Sequence, residues 1–243
     1  MDINAFFDTL SLDCLVNCQK LLDDKIKTAK IAHRAEAQSK KAEDYVEMLE
    51  DFVPDKDGVL FQSLLAEIES LGMKTASGST SSKWTSSDDE TYSWSSSSGK
   101  ETVNQPIEID SFPGIKKLMD KVNLESGTDM NSCLVTHFPD GKSYIRLHAD
   151  GEQEMAPDSP ICVFTVGQER PVEFLSMYQA ASEQPLLTVI PKAGSLYIMK
   201  PGCQSFFRHR VPTTASPSGK RYLKSIVSYP YLQMLLLQRW TRV

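Results

Sequence analysis

The sequence predicts an α+β fold: a double-stranded β-helix, or jelly-roll, core with an N-terminal helical layer and a helical extension in front of it. Two observations carry this. Met1 to about Glu47 is rich in Leu, Ala, Lys, Asp and Glu and holds neither Gly nor Pro, which suits helix. Beyond about Val122 the chain becomes roughly eight short apolar segments, punctuated by turn residues, as far as Tyr231. Helices followed by strands in blocks give segregated layers, here two sheets facing each other. No internal repeat is visible. Residues 1–47 read as a helical extension and 48–243 as one domain.

The elements follow in order. Phe6, Leu10, Leu15, Cys18, Leu22 and Ile26 fall near helical spacing, so one or two helices are expected. After Ala32 the apolar stripe gives way to Lys and Glu, which leaves two readings: a solvated helix that engages a protein partner, or a plain cap on the following domain. Pro54 and Gly58 break the chain before a helix from about Val59 to Leu71. Residues 75–102 are crowded with Ser and Thr yet carry Trp84, Tyr92 and Trp94. Serine alone would mean a linker, whereas aromatic faces among adaptable hydroxyls suit a mobile flap that stacks on a flat ring. Ile107 to Val122 is helix-like, broken at Pro113-Gly114. Met177 to Pro185 is a polar excursion between strands, and Leu232 to Val243 looks like a short amphipathic helix closing one end of the sandwich.

Composition narrows the function classes. No apolar run is long enough to span a bilayer and the N-terminus lacks a secretory pattern, so an intracellular protein, cytoplasmic or nuclear, with no membrane role is expected. Of five cysteines, Cys133, Cys162 and Cys203 fall in or beside apolar strands, where a reduced thiol packs as a small hydrophobe. Cys14 and Cys18 could share a helix face, but they lack partner ligands for zinc. A net charge of −6 offers no bulk attraction to nucleic acid. The stretch from Pro191 to Lys224 nevertheless holds Lys192, Lys200, Arg208, Arg210, Lys220, Arg221 and Lys224 and no acidic residue. It is either a phosphate-contacting surface or a solvated basic face.

Chemistry concentrates in His148-Ala149-Asp150, His209 and Arg221. Two histidines and a carboxylate form the ligand set of non-haem iron(II) oxygenases, which leaves positions open for substrate and dioxygen. The segment Ser143 to Asp150 alternates like a strand, and a period of two puts His148 and Asp150 on one face. Gly194 to Met199 reads as a strand, Lys200 to Gln204 as a turn, and Ser205 to Val211 as a second strand with His209 late in it. Arg221, about a dozen residues further on, supplies a permanent cation for the distal carboxylate of an acidic co-substrate such as 2-oxoglutarate.

These residues resemble the AlkB family of iron(II)- and 2-oxoglutarate-dependent dioxygenases. The resemblance runs through Leu134 to Gly141, Leu147 to Glu152, Ile161 to Gly167, Gly194 to Met199, Phe207 to Pro212 and Gly219 to Ser225, and more loosely through Leu49 to Glu67. It implies that His148, Asp150 and His209 bind Fe(II), and that Arg221, with Ser225, holds the C5 carboxylate of 2-oxoglutarate. Leu223 and Val227 stand where the family's C-terminal strand carries Asn and a second Arg, which makes this pocket more apolar. Thr136-His-Phe138 replaces the Asn-x-Tyr that contacts the co-substrate in relatives, so Thr136 and Phe138 take those places. Residues 75–102 correspond to the family's nucleotide-recognition lid, with Tyr92 and Trp94 as its stacking aromatics, and Glu152 is a substrate contact. Gly151 replaces the Asp common beside it.

The activity this implies is oxidative demethylation of alkylated bases in DNA or RNA: hydroxylation of an N-methyl group, then release of formaldehyde, with succinate and CO2 formed from the co-substrate. Two other readings stand beside it. The same scaffold could hydroxylate protein or small-molecule substrates, or the site could have decayed to a binding module.

Overall fold

The computed structural model describes residues 12–54, 58–73, 76–87, 91–95, 101–150, 159–214 and 231–237. The chain divides into two compact units, residues 1–40 and 41–243. Within the first, α1 (Leu12–Ser39) is one continuous helix. Its Leu15, Val16, Leu21, Leu22, Ile26 and Ile31 are exposed. The helical extension expected as far as residue 47 stops earlier. A single turn, α2 (Ala42–Tyr45), leads into a strand, β1 (Val46–Leu49).

In the second unit, α3 (Val59–Ser70) is followed by β2 (Ser81–Ser86), β3 (Tyr92–Ser95), β4 (Glu101–Asn104) and β5 (Ile107–Glu108). Next come α4 (Pro113–Ser126), β6 (Ser132–Phe138), β7 (Ile145–His148), β8 (Ile161–Val166), β9 (Val172–Ser176) and β10 (Leu187–Val189). The chain continues through β11 (Leu196–Met199), a one-turn α5 (Cys203–Phe206), β12 (Phe207–Val211) and β13 (Tyr231–Leu237). A seven-stranded sheet has the order β1-β11-β8-β13-β6-β2-β5, and a four-stranded sheet the order β10-β9-β12-β7. Every pairing is antiparallel except the short β2–β5 contact.

Side-chain alternation builds two apolar layers on the large sheet. Cys162, Phe164 and Val166 of β8, with Leu196 and Ile198 of β11, face the helices. Ile161 and Val163, with Tyr197 and Met199, face the small sheet and meet Val172, Phe174, Phe207 and Val211. A strand covered on both sides reads as an unbroken apolar run, and all six residues of β8 are buried. The helices meet this surface through Phe61, Leu64, Leu65 and Ile68 of α3 and Ile115, Leu118, Met119 and Val122 of α4. Both sets follow the i, i+3, i+4, i+7 spacing of one helix face.

Three sequence expectations change here. The stretch from Ile107 is not one broken helix: a short strand and a 3-10 turn come first, and α4 begins at Pro113. Proline suits the first helical position because its missing N–H needs no partner there. The next two donors, Gly114 N and Ile115 N, are accepted by the Glu67 carboxylate of α3 at 2.6 and 2.9 Å. A Cβ at Gly114 would lie 2.8 Å from Ser63 Oγ, so glycine permits that close approach. The C-terminal segment is not a helix as far as Leu237. Residues 231–237 form β13 between β6 and β8. Its Leu, Gln and Met favour helix locally, but without it two strands in the middle of a sheet would lose their backbone partners. Finally, one part of the Ser-rich segment is anchored: β2 pairs with β6 along its whole length and Trp84 is fully buried.

The loop between β6 and β7 is held from two sides. Asp140 accepts hydrogen bonds from Ser77 Oγ, Gly78 N, Lys142 N, Ser143 N and Ser143 Oγ. The buried Arg170 guanidinium donates to the carbonyls of Asp140, Ser143 and Pro212. These hydroxyl and amide donors, Ser77 first, hold the Asp140 carboxyl well below the usual carboxylate range.

Two outcomes are expected. Glu67→Ala, which strips the cap from α4, should cost about 1 kcal/mol in urea unfolding at neutral pH. A depressed carboxyl stabilises the fold above its unfolded pKa of about 3.9, and that stability is lost as pH falls toward the folded value. Wild-type urea midpoints should therefore fall more steeply below about pH 5 than those of Asp140→Asn; parallel curves would refute the assignment.

Candidate metal centre

The edge pair β7–β12 builds the site. His148 lies directly across from His209, and Ile145 across from Val211. Two residues on β7, Arg146 and Leu147, thus stand opposite one on β12, Arg210, a β-bulge. Strict alternation would turn Ile145 and His148 to opposite faces; the bulge re-aims His148 toward the inward His209. Sequence alternation therefore found the right residues by an incomplete route: β7 ends at His148, and Asp150 lies beyond the strand.

Asp150 is fixed instead by a side chain. Its backbone N–H donates to Gln204 Oε1 at 2.9 Å, and Gln204 Nε2 contacts Met199 Sδ at 3.3 Å. Gln204 sits on α5, reached through Gly202 in the left-handed region at φ 84°. The sequence reading saw only a turn here, because nothing in the order Lys200 to Gln204 marks a partner more than fifty residues away.

Donor atoms of His148, Asp150 and His209 all lie within 4.8 Å of one another. His148 Nε2 is 3.3 Å from Asp150 Oδ1 and His209 Nε2 is 3.5 Å from Oδ2. The imidazole centroids are 4.3 Å apart, and Phe174 packs on His209 at 5.8 Å. His148 Nδ1 donates to the Arg146 carbonyl at 2.8 Å, which turns the Nε2 lone pair toward the cluster. Burial pushes the His209 imidazole down to about 4, so it is neutral at pH 7. Burial also opposes the charge on Asp150.

The arrangement fits a cation. Asp150 Oδ2 is buried and has no hydrogen-bond partner among the described residues. A buried carboxylate oxygen left without a hydrogen bond beside two imidazoles is costly unless a positive charge lies near it. Two nitrogens and one oxygen on one side of a point are donors suited to iron(II). Among the described residues no other group of His, Cys, Asp and Glu meets this test.

The remaining candidates are distributed differently. Thr136 and Phe138 lie on β6, with Leu134 on the face toward the small sheet. The Thr136 hydroxyl pairs with Ser82 Oγ at 3.0 Å, and Phe138 is buried beneath Arg170, 5.6 Å from its centroid. Tyr92 is also buried, stacked on Trp84 at 4.9 Å, so its ring is engaged inside the protein rather than offered to a base. Trp94 belongs to β3, and its side chain is outside the described residues. Arg221, Ser225, Leu223, Val227, Gly151 and Glu152 also lie outside them. Of the basic stretch, the described members are dispersed: Lys192 pairs with Glu50 and Lys200 with Glu47 beside β1 and β11, Arg208 and Arg210 lie on β12, and Lys220, Arg221 and Lys224 are outside the described residues. The buried thiols of Cys133, Cys162 and Cys203 are pushed up to about 12, chiefly by burial, and are unreactive. Among the described residues no helix is long and apolar enough to cross a membrane.

Comparison with known proteins agrees with this geometry. The sequence signature of the 2OG-Fe(II) oxygenase superfamily matches residues 46–229, and the chain belongs to that family. Among curated proteins it is similar to human DNA oxidative demethylase ALKBH2, 27% identical over 132 residues, 53% of this chain and 49% of that one. The mouse protein of the same name is 31% identical over 106 residues, 41% of this chain and 44% of that one. The chain thus spans about half the length of the curated relatives it matches. A solved structure of OsALKBH1 superposes with a TM-score of 0.53 at 13% identity, covering 80% of this chain and 97% of that one, a likeness of fold. The AlkB resemblance of the sequence is supported by the family match and the curated relatives.

Loss of Gln204 should loosen Asp150 without removing a donor. Gln204→Leu is expected to weaken Co(II) binding about ten- to a hundredfold by calorimetry, and Gln204→Glu, which keeps an acceptor for the Asp150 N–H, to restore most of it. Wild-type affinity in the leucine variant would remove Gln204 from the site.

Proposed function

We propose that this protein is an iron(II)- and 2-oxoglutarate-dependent dioxygenase that oxidatively demethylates alkylated bases in nucleic acid. The observation that carries the reading is the Asp150 carboxylate oxygen, without a hydrogen-bond partner among the described residues, beside two imidazoles at one edge of a pair of facing sheets. The two sheets are read as the double-stranded β-helix, with β7 and β12 as its metal-bearing strands. Curated relatives named DNA oxidative demethylase support the substrate class. The setting is intracellular.

His148 and His209, each through Nε2, and Asp150 through its carboxylate are the residues assigned to hold iron(II). The bound metal, with 2-oxoglutarate and dioxygen, supplies the two-electron oxidation that inserts an oxygen atom into an N-methyl C–H bond. The protein's part is positioning. Arg146 and Gln204 fix the orientation of His148 and Asp150. Phe174 keeps water from one side of His209. Arg221 is assigned to the C5 carboxylate of 2-oxoglutarate, with Ser225 beside it, and Thr136 and Phe138 to the inner wall of the co-substrate pocket. Glu152 and Trp94 are assigned to the substrate base; Tyr92 supports them from within, through its stack on Trp84.

The direct test is anaerobic titration of the metal-free protein with iron(II) and then 2-oxoglutarate, following the weak visible charge-transfer band. Formaldehyde release is then compared between methylated oligonucleotide and methylated peptide. The reading expects the band, and formaldehyde from the oligonucleotide. Release from the peptide alone would reassign the substrate, and absence of both band and succinate would make the site non-catalytic. A charge-assisted pair is worth about 1.5 to 3 kcal/mol, so Arg221→Met should raise the 2-oxoglutarate requirement roughly ten- to a hundredfold.

A further inference from the structure

The first unit carries a surface that the metal centre does not use. Along α1, Leu15, Cys18, Leu22, Ile26 and Ala29 follow steps of three and four residues, so they share one side of the helix, and all five are exposed. Most helices draw their stability from packing such a face, and an exposed apolar stripe marks a contact surface. Two further features say what covers it. Charge is segregated along the helix: Asp23 and Asp24 come first, and Lys25, Lys27, Lys30 and Arg34 follow. Size is segregated as well, with Leu15 and Leu22 before Ile26 and the small Ala29 after it. Asp23 and Lys30, seven residues apart, lie along one edge of the stripe. Asp23 accepts a hydrogen bond from Gln19 Nε2 at 2.9 Å, and among the described residues neither Asp23 nor Lys30 forms an ion pair.

We infer that this stripe binds a second copy of the same chain, the two α1 helices running antiparallel about a twofold axis that passes between Ile26 and Lys27. A twofold contact is self-complementary, so each pairing across it occurs twice. Setting Asp23 of one copy against Lys30 of the second therefore also sets Lys30 of the first against Asp23 of the second. The same alignment places Ile26 beside Ile26 and turns Leu22 toward Ala29, large against small, as a close-packed seam requires. A parallel pair in register would instead bring the acidic turn level with the acidic turn, the basic turns level with the basic ones, and Ala29 against Ala29, which leaves a gap. An anionic lipid surface would answer the lysines but repel Asp23 and Asp24. Twenty-eight residues give about 42 Å of helix, enough length for the seam.

The test is sedimentation equilibrium of the full chain over a concentration series, where a monomer–dimer equilibrium is expected. Leu22→Gln should leave the chain monomeric at concentrations where the wild type dimerises. Ile31→Gln, on the opposite side of the helix and equally exposed, should leave dimerisation unchanged. Asp23→Lys and Lys30→Glu should each raise the dimer dissociation constant roughly five- to thirtyfold. The double variant Asp23→Lys/Lys30→Glu should recover the wild-type value, because the exchanged pair forms again across the twofold axis. Neither a different protein on the stripe nor a parallel dimer gives that recovery. If Leu22→Gln loses helix by circular dichroism, the charge exchange still decides, since both residues are exposed. A wild type monomeric at every concentration, or a double variant no better than either single one, would overturn the inference. A monomer that sediments with anionic vesicles would assign the stripe to a lipid surface instead.

Discussion

The alignment of β7 against β12 is the constraint on which the rest depends. Antiparallel pairing alone would bring two strands together in many registers, but only the register that sets His148 across from His209, with its bulge, turns both imidazoles to one point. That register is held from outside the ladder. Arg170 ties the carbonyls of the loop before β7 to the carbonyl just after β12, so one buried guanidinium clamps both strands. Gly141 completes the clamp: Thr214 N donates to its carbonyl at 2.8 Å, and a Cβ there would lie 2.7 Å from Thr214 O. A loop that looks like a connection is a spacer for the metal ligands.

Electrostatics then explain why the site is poised rather than satisfied. Desolvation keeps His209 neutral, and neutral imidazole is the form that ligates metal. The same desolvation opposes the charge on Asp150, an opposition that a cation at the site would relieve. The result is a carboxylate oxygen with no hydrogen-bond partner among the described residues, within reach of two imidazoles. Such groups are retained against their cost in stability only where function uses them. Apolar packing behind the site, Phe174 against His209 and the layer of Val163, Tyr197 and Phe207, supplies the rigidity that a preorganised ligand set requires.

Helices and sheets share one logic. The large sheet is apolar on both faces because one receives α3 and α4 and the other receives the small sheet. Where the two helices meet, Glu67 serves both, as a member of α3 and as the acceptor for the first free donors of α4. Trp84 and Tyr92, which the sequence offers as flap aromatics, are drawn into the inner layer, because two large rings bury more apolar surface stacked there than exposed.

Read alone, the sequence determined the kinds of residue and their order. The spacing of Phe61, Leu64, Leu65 and Ile68 marks a helix face, the alternation in β12 marks a strand, and His148, Asp150 and His209 name a metal chemistry, because each signal lies within a few residues or in a known donor set. What tertiary structure decided is where distant segments close on each other. It made Leu232 to Leu237 a central strand against local helix preference, withdrew Tyr92 from the surface, and paired Lys192 and Lys200 with carboxylates while setting Arg208 and Arg210 on β12. It also recruited Gln204 to hold Asp150 and Arg170 to clamp the ladder, contacts spanning tens of residues. Such partnerships leave no periodic trace, since they arise from backbone donors and acceptors that every residue carries and that only the folded chain brings within reach.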